Sequence, residues 1–341
     1  MAKVAIVGTG LIGTSLALAL RQSHLKNLEV VGTDYDHAAR GGAHKRGAFN
    51  KVENRLSSAV RDADIVIMAI PVMGMRDLLE TLGPNLEDGC VVTDVGSSKK
   101  MVLEWADEFL PKGVDFVGGH PMAGKEASGP EAADAALFRD RAYCIVPSPR
   151  ARQAAVSEIT TLAEAIGARP FFIGVDEHDS FVAAASHLPF LLSVALVGCT
   201  SKSANWEDIA QLAASGYTDV SRLASGDPAM HRDICVSNPE PIVAWIDAFI
   251  RELHAVRQLL DSEGGPNNDE VHQVFEKAFV ARSMWQSGAL NPQVRRAGSH
   301  SDIPSFAETM GDMFVGRLGR RGMEAQKKLF KETDGFGRKK K

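Results

Sequence analysis

Apolar positions along this chain follow two rhythms. As far as residue 174, short unbroken runs of valine and isoleucine (4–7, 30–33, 65–70 and 91–95) alternate with longer amphipathic stretches. An unbroken apolar run, rather than an alternating one, suits a strand covered on both faces. Strand and helix repeating at this spacing predict an α/β fold, doubly wound on a parallel sheet. Residues 116–117, 143–146 and 170–173 read as further strands that extend it.

Past Gly174 the valine runs stop, and apolar residues take helical spacing over 181–197, 242–260 and 271–285. This predicts an all-helical second domain, with Gly264-Gly265-Pro266-Asn267-Asn268 as a break between two of its helices. The expected division is a sheet domain over 1–174, a helical domain over 175–330 and a tail over 331–341. That leaves no stretch for an appended regulatory domain. The apolar faces of 242–260 and 271–285 exceed what one helical layer buries.

The first strand runs straight into Gly8-Thr9-Gly10-Leu11-Ile12-Gly13, and a helix follows. In that setting Gly8 makes the tight turn, Gly10 lets backbone approach a pyrophosphate, and Gly13 allows close packing of helix on sheet. The helix start offers amide donors and a positive dipole end to phosphates. Asp34 stands at the end of the second strand, about 20 residues past Gly13, where a carboxylate accepts from ribose hydroxyls and repels a 2′-phosphate. The pattern predicts a Rossmann-type domain that binds NAD in preference to NADP. Asp36 is the competing carboxylate, placed past the strand.

Composition narrows the partners. A net charge of −5 gives no reason to expect nucleic acid, and the basic end Arg338-Lys339-Lys340-Lys341 reads as a solvated terminus. No unbroken apolar segment reaches membrane-spanning length, so no membrane association is expected. Cys90, Cys144, Cys199 and Cys235 form no Cys-x-x-Cys pair and read as buried thiols of a reducing compartment, the cytoplasm. His178 lies among Asp176, Glu177 and Asp179 with no second histidine at ligand spacing, so a solvated interdomain turn is expected and no metal.

In a doubly wound sheet, ligands sit outside the carboxyl ends of the strands. Two such ends carry chemistry here. One delivers Gly96-Ser97-Ser98-Lys99 and the other Gly118-Gly119-His120. A histidine near its unperturbed pKa accepts a proton at neutral pH, and Ser97 or Ser98 is placed to hold its tautomer. Ser97 also reads as an N-cap for the helix that follows, a role compatible with catalysis.

Together these residues resemble the prephenate/arogenate dehydrogenase family of tyrosine biosynthesis. The matching elements are Gly8-Thr9-Gly10-Leu11-Ile12-Gly13, Asp94-Val95-Gly96-Ser97-Ser98-Lys99, and Gly119-His120-Pro121-Met122-Ala123-Gly124-Lys125-Glu126 with Ser128-Gly129. They continue with His178-Asp179, Ser186-His187-Leu188-Pro189, Asp219-Val220-Ser221-Arg222-Leu223-Ala224, Asp227-Pro228 and Asp233-Ile234. The resemblance implies that His120 takes the proton of a ring C4 hydroxyl while hydride leaves for NAD, and that carbon dioxide is then lost from C1. It implies that Ser97 orients His120 and touches the same hydroxyl, that Arg222 binds a substrate carboxylate, and that the apolar helices 242–260 and 271–285 pair two copies into a homodimer. Many prephenate-using members read His-Leu-Pro-His, the second histidine touching substrate, where this chain has Phe190. His231 stands where tryptophan is expected. His187, in the same substrate-binding set, is expected to pack where the second domain meets the sheet.

Two other readings fit the same plan. A β-hydroxyacid dehydrogenase would rely on a lysine of the helical domain, for which Lys202 is the candidate, and a nucleotide sensor would bind NAD without turnover.

Overall fold

The computed structural model describes residues 2–290. The tail at 331–341 and the last part of the helical domain expected to reach 330 lie outside the described residues. Strands β1 (Ala2–Val7), β2 (Leu28–Thr33), β3 (Lys51–Glu53), β4 (Ile65–Met68), β5 (Val91–Asp94), β6 (Asp115–Pro121), β7 (Ala142–Pro147) and β8 (Arg169–Phe172) form one sheet. Its order is β3-β2-β1-β4-β5-β6-β7-β8. Helices α1 (Leu11–Gln22), α2 (His37–Lys45), α3 (Leu56–Val60), α4 (Met75–Leu82), α5 (Lys100–Phe109) and α6 (Gln153–Ala165) fall between the strands.

Both faces of the sheet are buried, as the unbroken apolar runs require. On β1, Val4 and Ile6 join the core that holds Leu16, Leu20 and Ile159, while Ala5 and Val7 join the opposite core of Met68, Leu79 and Val102. Cutting one such side chain back to alanine costs about 2–5 kcal/mol.

The sheet departs from the expected all-parallel form at one place. β6 and β7 pair antiparallel, with His120 opposite Cys144, and β8 then runs parallel to β7. A parallel crossover is usually made by a helix, but the segment joining β6 to β7 holds only a short 3-10 turn, Pro130–Ala132. β3 was not expected from the sequence, because its three residues, Lys-Val-Glu, carry no apolar run.

From Val175 the chain is helical: α7 (Val175–Val182), a π-helical turn over Ala183–His187, α8 (Leu188–Thr200), α9 (Trp206–Leu212), α10 (Ser215–Ser221), α11 (Pro228–Ser237), α12 (Pro239–Leu260) and α13 (Asn268–Gln286). The break between α12 and α13 falls where the glycines stand. Gly264 and Gly265 have positive φ, and Asn267 caps α13 by accepting from the amides of Asp269 and Glu270. By their contacts the described residues up to Leu253 form one compact unit and those from His254 a second.

Two sequence expectations need correction here. By length and composition, the continuous helical stretch Val175–Thr200 is long and apolar enough to cross a membrane. Buried polar side chains nevertheless stitch it to its neighbours, Ser193 donating to the Val220 carbonyl and His187 meeting Asn238. Among the cysteines only Cys90 and Cys144 are buried, Cys235 is half-buried and Cys199 is exposed.

Candidate active site

The loop between β1 and α1 has the shape its glycines predict. Gly8 sits at φ +103°, and a Cβ on Gly13 would stand 1.9 Å from the Gly8 carbonyl oxygen, so neither position admits a side chain. Gly10 faces open space, with nothing within 4 Å of where its Cβ would be. It caps α1 without a side-chain bond, and the first intrahelical donor is the Thr14 amide. The amides of Leu11, Ile12 and Gly13 are therefore left at the positive end of the helix. Thr9 is fully buried, and Asp34 accepts from its amide at 2.6 Å and its hydroxyl at 3.2 Å. The Asp34 carboxylate is thus fixed just past β2, beside the glycine loop. Asp36 is spent elsewhere, capping α2 through the Ala38 amide at 2.9 Å.

His120 lies near the end of β6 and is buried, 7% exposed. Its Nδ1 is 3.0 Å from His178 Nε2, and His178 Nδ1 is 2.8 Å from Asp179 Oδ1. Asp179 also accepts from the amides of Lys99 at 2.8 Å and Lys100 at 2.9 Å, so it caps the start of α5 from a different helix. Although burial pushes the Asp179 carboxyl up, the bonds from His178 and these amides hold it below its ordinary value. Burial, together with the nearby Lys99 ammonium, drives His120 well below the ordinary histidine value.

Three expectations change as a result. His120 does not keep an unperturbed pKa; burial and the Lys99 ammonium lower it, so the ring is neutral at neutral pH. Its Nδ1 partner is His178 rather than Ser97, which is half-buried and makes no hydrogen bond through its hydroxyl. Ser97 is no helix cap either, since Asp179 performs that task. His178 is not in a solvated turn but fully buried on the first turns of α7. Helical spacing running back to residue 175 was the available signal, because it places His178 and Asp179 inside a helix rather than before one.

Behind His120 lies a buried ion pair that sequence reading passed over. Lys99 and Asp94 are both fully buried, and the Lys99 ammonium donates to the Asp94 carboxylate and to the carbonyls of Gly96 at 2.9 Å and Ser98 at 3.0 Å. Asp94 in turn accepts from the amides of Gly96 at 2.8 Å and Gly119 at 3.2 Å. The pair locks the loop after β5 to the strand that carries His120. Removing one partner of such a pair costs about 3–5 kcal/mol, since the other charge is left buried alone.

The helical segment contributes the remaining candidates. The π turn, a local widening of the helix often found at functional sites, places His187 at its end. His187 is fully buried against Asn238, and burial lowers its pKa to about 4. One turn on, Phe190 is buried and stacks face to face on His231, with centroids 4.2 Å apart and planes 2° from parallel. The two positions that depart from the family pattern are therefore in direct contact. Arg222 is half-exposed and paired with Glu126 from the loop after β6. Lys202 is exposed, with no bonded partner among the described residues.

The sequence matches the family models described as prephenate dehydrogenase, nucleotide-binding domain, over residues 16–171, and prephenate dehydrogenase, dimerization domain, over 175–277. It is 35% identical over 266 residues to the prephenate dehydrogenase of Bacillus subtilis, covering 77% of this chain and 71% of that protein. It is 30% identical over 280 residues to the cyclohexadienyl dehydrogenase of Zymomonas mobilis, covering 82% and 95%. The crystal structure of prephenate dehydrogenase from A. aeolicus in complex with hydroxyphenyl propionate and NAD+ superposes with a TM-score of 0.76 at 27% identity, covering 83% of this chain and 97% of the other.

Proposed function

This chain belongs to the prephenate dehydrogenase family, and we propose that it carries out the oxidative decarboxylation of prephenate or arogenate in tyrosine biosynthesis, with His120 as the base. The enzyme is an NAD-dependent dehydrogenase. Its glycine loop fits the cofactor: open space at Gly10 for a pyrophosphate, uncapped amides at the head of α1, and the Asp34 carboxylate for the ribose. NAD, when bound, supplies the hydride acceptor.

The reading rests chiefly on one observation: His120 Nδ1 is occupied by His178, which leaves Nε2 as the nitrogen that takes a proton. In the first step His120 Nε2 accepts the proton of the ring C4 hydroxyl as the C4 hydrogen departs with its electron pair, and C4 becomes a carbonyl. Carbon dioxide then leaves C1. The electrons of that bond complete an aromatic ring, and the C4 oxygen takes back the proton His120 held. His120 ends neutral, ready for another cycle.

We assign to Ser97, on the loop after β5, a contact with the same hydroxyl. Arg222 offers a permanent charge with forked donors to a substrate carboxylate, and Glu126 holds that guanidinium in place beforehand. His187 and the Phe190–His231 stack line the side-chain end of the substrate site. The working division is a dinucleotide-binding domain over 1–174 and a helical domain from 175 that pairs two copies through the apolar faces of 242–260 and 271–285. Cytoplasm is the matching compartment. A lysine-based mechanism finds no support in the exposed Lys202.

The test is NADH formation from prephenate and from arogenate, measured for the unaltered protein and for His120→Asn. Turnover should fall about a thousandfold in the variant while NAD affinity holds. Undiminished turnover removes His120 from the chemistry. Inertness of the unaltered protein toward both substrates leaves a sensor.

A further inference from the structure

We propose that His178 and Asp179 are positioning residues that keep the proton of the His120 ring on Nδ1, so that Nε2 is bare when substrate arrives. The proposal rests on His120 being the base. Asp179 as a carboxylate only accepts, so the His178 nitrogen 2.8 Å from it, Nδ1, is the one that carries a proton. His178 Nε2 is then an acceptor. At 3.0 Å it receives the proton of His120 Nδ1, which leaves His120 Nε2 without one.

The direction of this chain is set from outside it. Asp179 is bonded by the Lys99 and Lys100 amides, so its place and its charge are fixed by the start of α5 whether or not the histidines are present. His178 is fully buried and rides on α7, so no water competes for its ring nitrogens. A free neutral imidazole favours the proton on Nε2, the arrangement that would disable His120. The same row also supplies charge balance. The titratable groups around His120 are Lys99, His178 and His187, with Asp94 tied to Lys99 and Asp179 to His178. When His120 takes the substrate proton, Asp179 is the one carboxylate joined to it by hydrogen bonds through a ring.

Long-range proton–nitrogen NMR of the histidine rings of the full chain at neutral pH reads the tautomer directly, with His120 assigned by its loss in His120→Asn. The expected spectrum has His120 and His178 both protonated on Nδ1. Asp179→Asn removes the carboxylate charge that anchors the His178 proton, and kcat should fall about a thousandfold or more with NAD affinity unchanged. His178→Phe removes the acceptor and keeps a ring in the space; kcat should fall about a hundredfold with KM for NAD unchanged. A His120 proton on Nε2 in the unaltered protein overturns the proposal, as does full kcat in both variants. Because Asp179 also caps α5, its variant can fail to fold, and the unaltered spectrum with His178→Phe then decides. If His120→Asn itself turns over normally, the base assignment is what has failed, and the spectrum stands apart from it.

Discussion

In the loop at the head of α1, Gly13 packs on Gly8 five residues away and Asp34 reaches Thr9 across 25. At the end of β6, His120 is held by His178 across 58 residues, and Asp179 reaches the Lys99 amide across 80. The first site is shaped by backbone sterics, where a single methyl group decides. The second is shaped by a chain of directional bonds, from the backbone amides of Lys99 and Lys100 at the start of α5 through Asp179 and His178 of α7 to His120 on β6. Damage to the first should show in folding and in NAD binding, and damage to the second first of all in rate.

The sharpest blow to the first site is Gly13→Ala. Its Cβ would stand 1.9 Å from backbone, which cannot move aside as a flexible side chain would. Unfolding by denaturant should show a loss of about 3 kcal/mol or more, with NAD binding weakened more than about tenfold. If stability is instead retained, the loop is less rigid than its contacts imply.

Acid distinguishes the two sites next. Below pH 6.5 the unfolded chain binds protons that buried His120 and His187 exclude, so stability is full above that pH and falls as pH drops. His187 alone, with its pKa lowered to about 4, accounts for about 3 kcal/mol between pH 6.5 and 4. The acid limb of kcat/KM should lie below 6.5, because neutral His120 persists there. An acid limb at or above 6.5 would mean that His120 titrates like an exposed ring.

Asp34→Ser should weaken NAD by about tenfold and leave NADP less disfavoured, as the ratio of their dissociation constants would report. An unchanged ratio takes Asp34 out of the ribose site. The smallest effect belongs to Phe190→His. Losing its stack on His231 is worth about 0.5–1.5 kcal/mol, so the preference between prephenate and arogenate should shift by no more than about tenfold. No shift removes this position from side-chain choice.

Much of the site could be read before any coordinates. The glycine loop, Asp34, the helical second half and the break at Gly264-Gly265 all stand where their local patterns put them. What could not be read were contacts with no local signature. Asp179 looks like an acid in a polar turn, and Phe190 and His231 like two unrelated departures 41 residues apart; each acquires its meaning from a partner distant in sequence. The antiparallel turn of β7 was hidden for the same reason, since strand direction depends on where the connection returns.

Sequence alone determined most of where this protein is strand, turn and helix, because apolar period and glycine sterics act over a few neighbouring residues. Tertiary structure alone decided which nitrogen of His120 is free and why the ring stays neutral. Those properties depend on hydrogen-bond direction and on exclusion of water, and neither exists until α5, β6 and α7 are packed together.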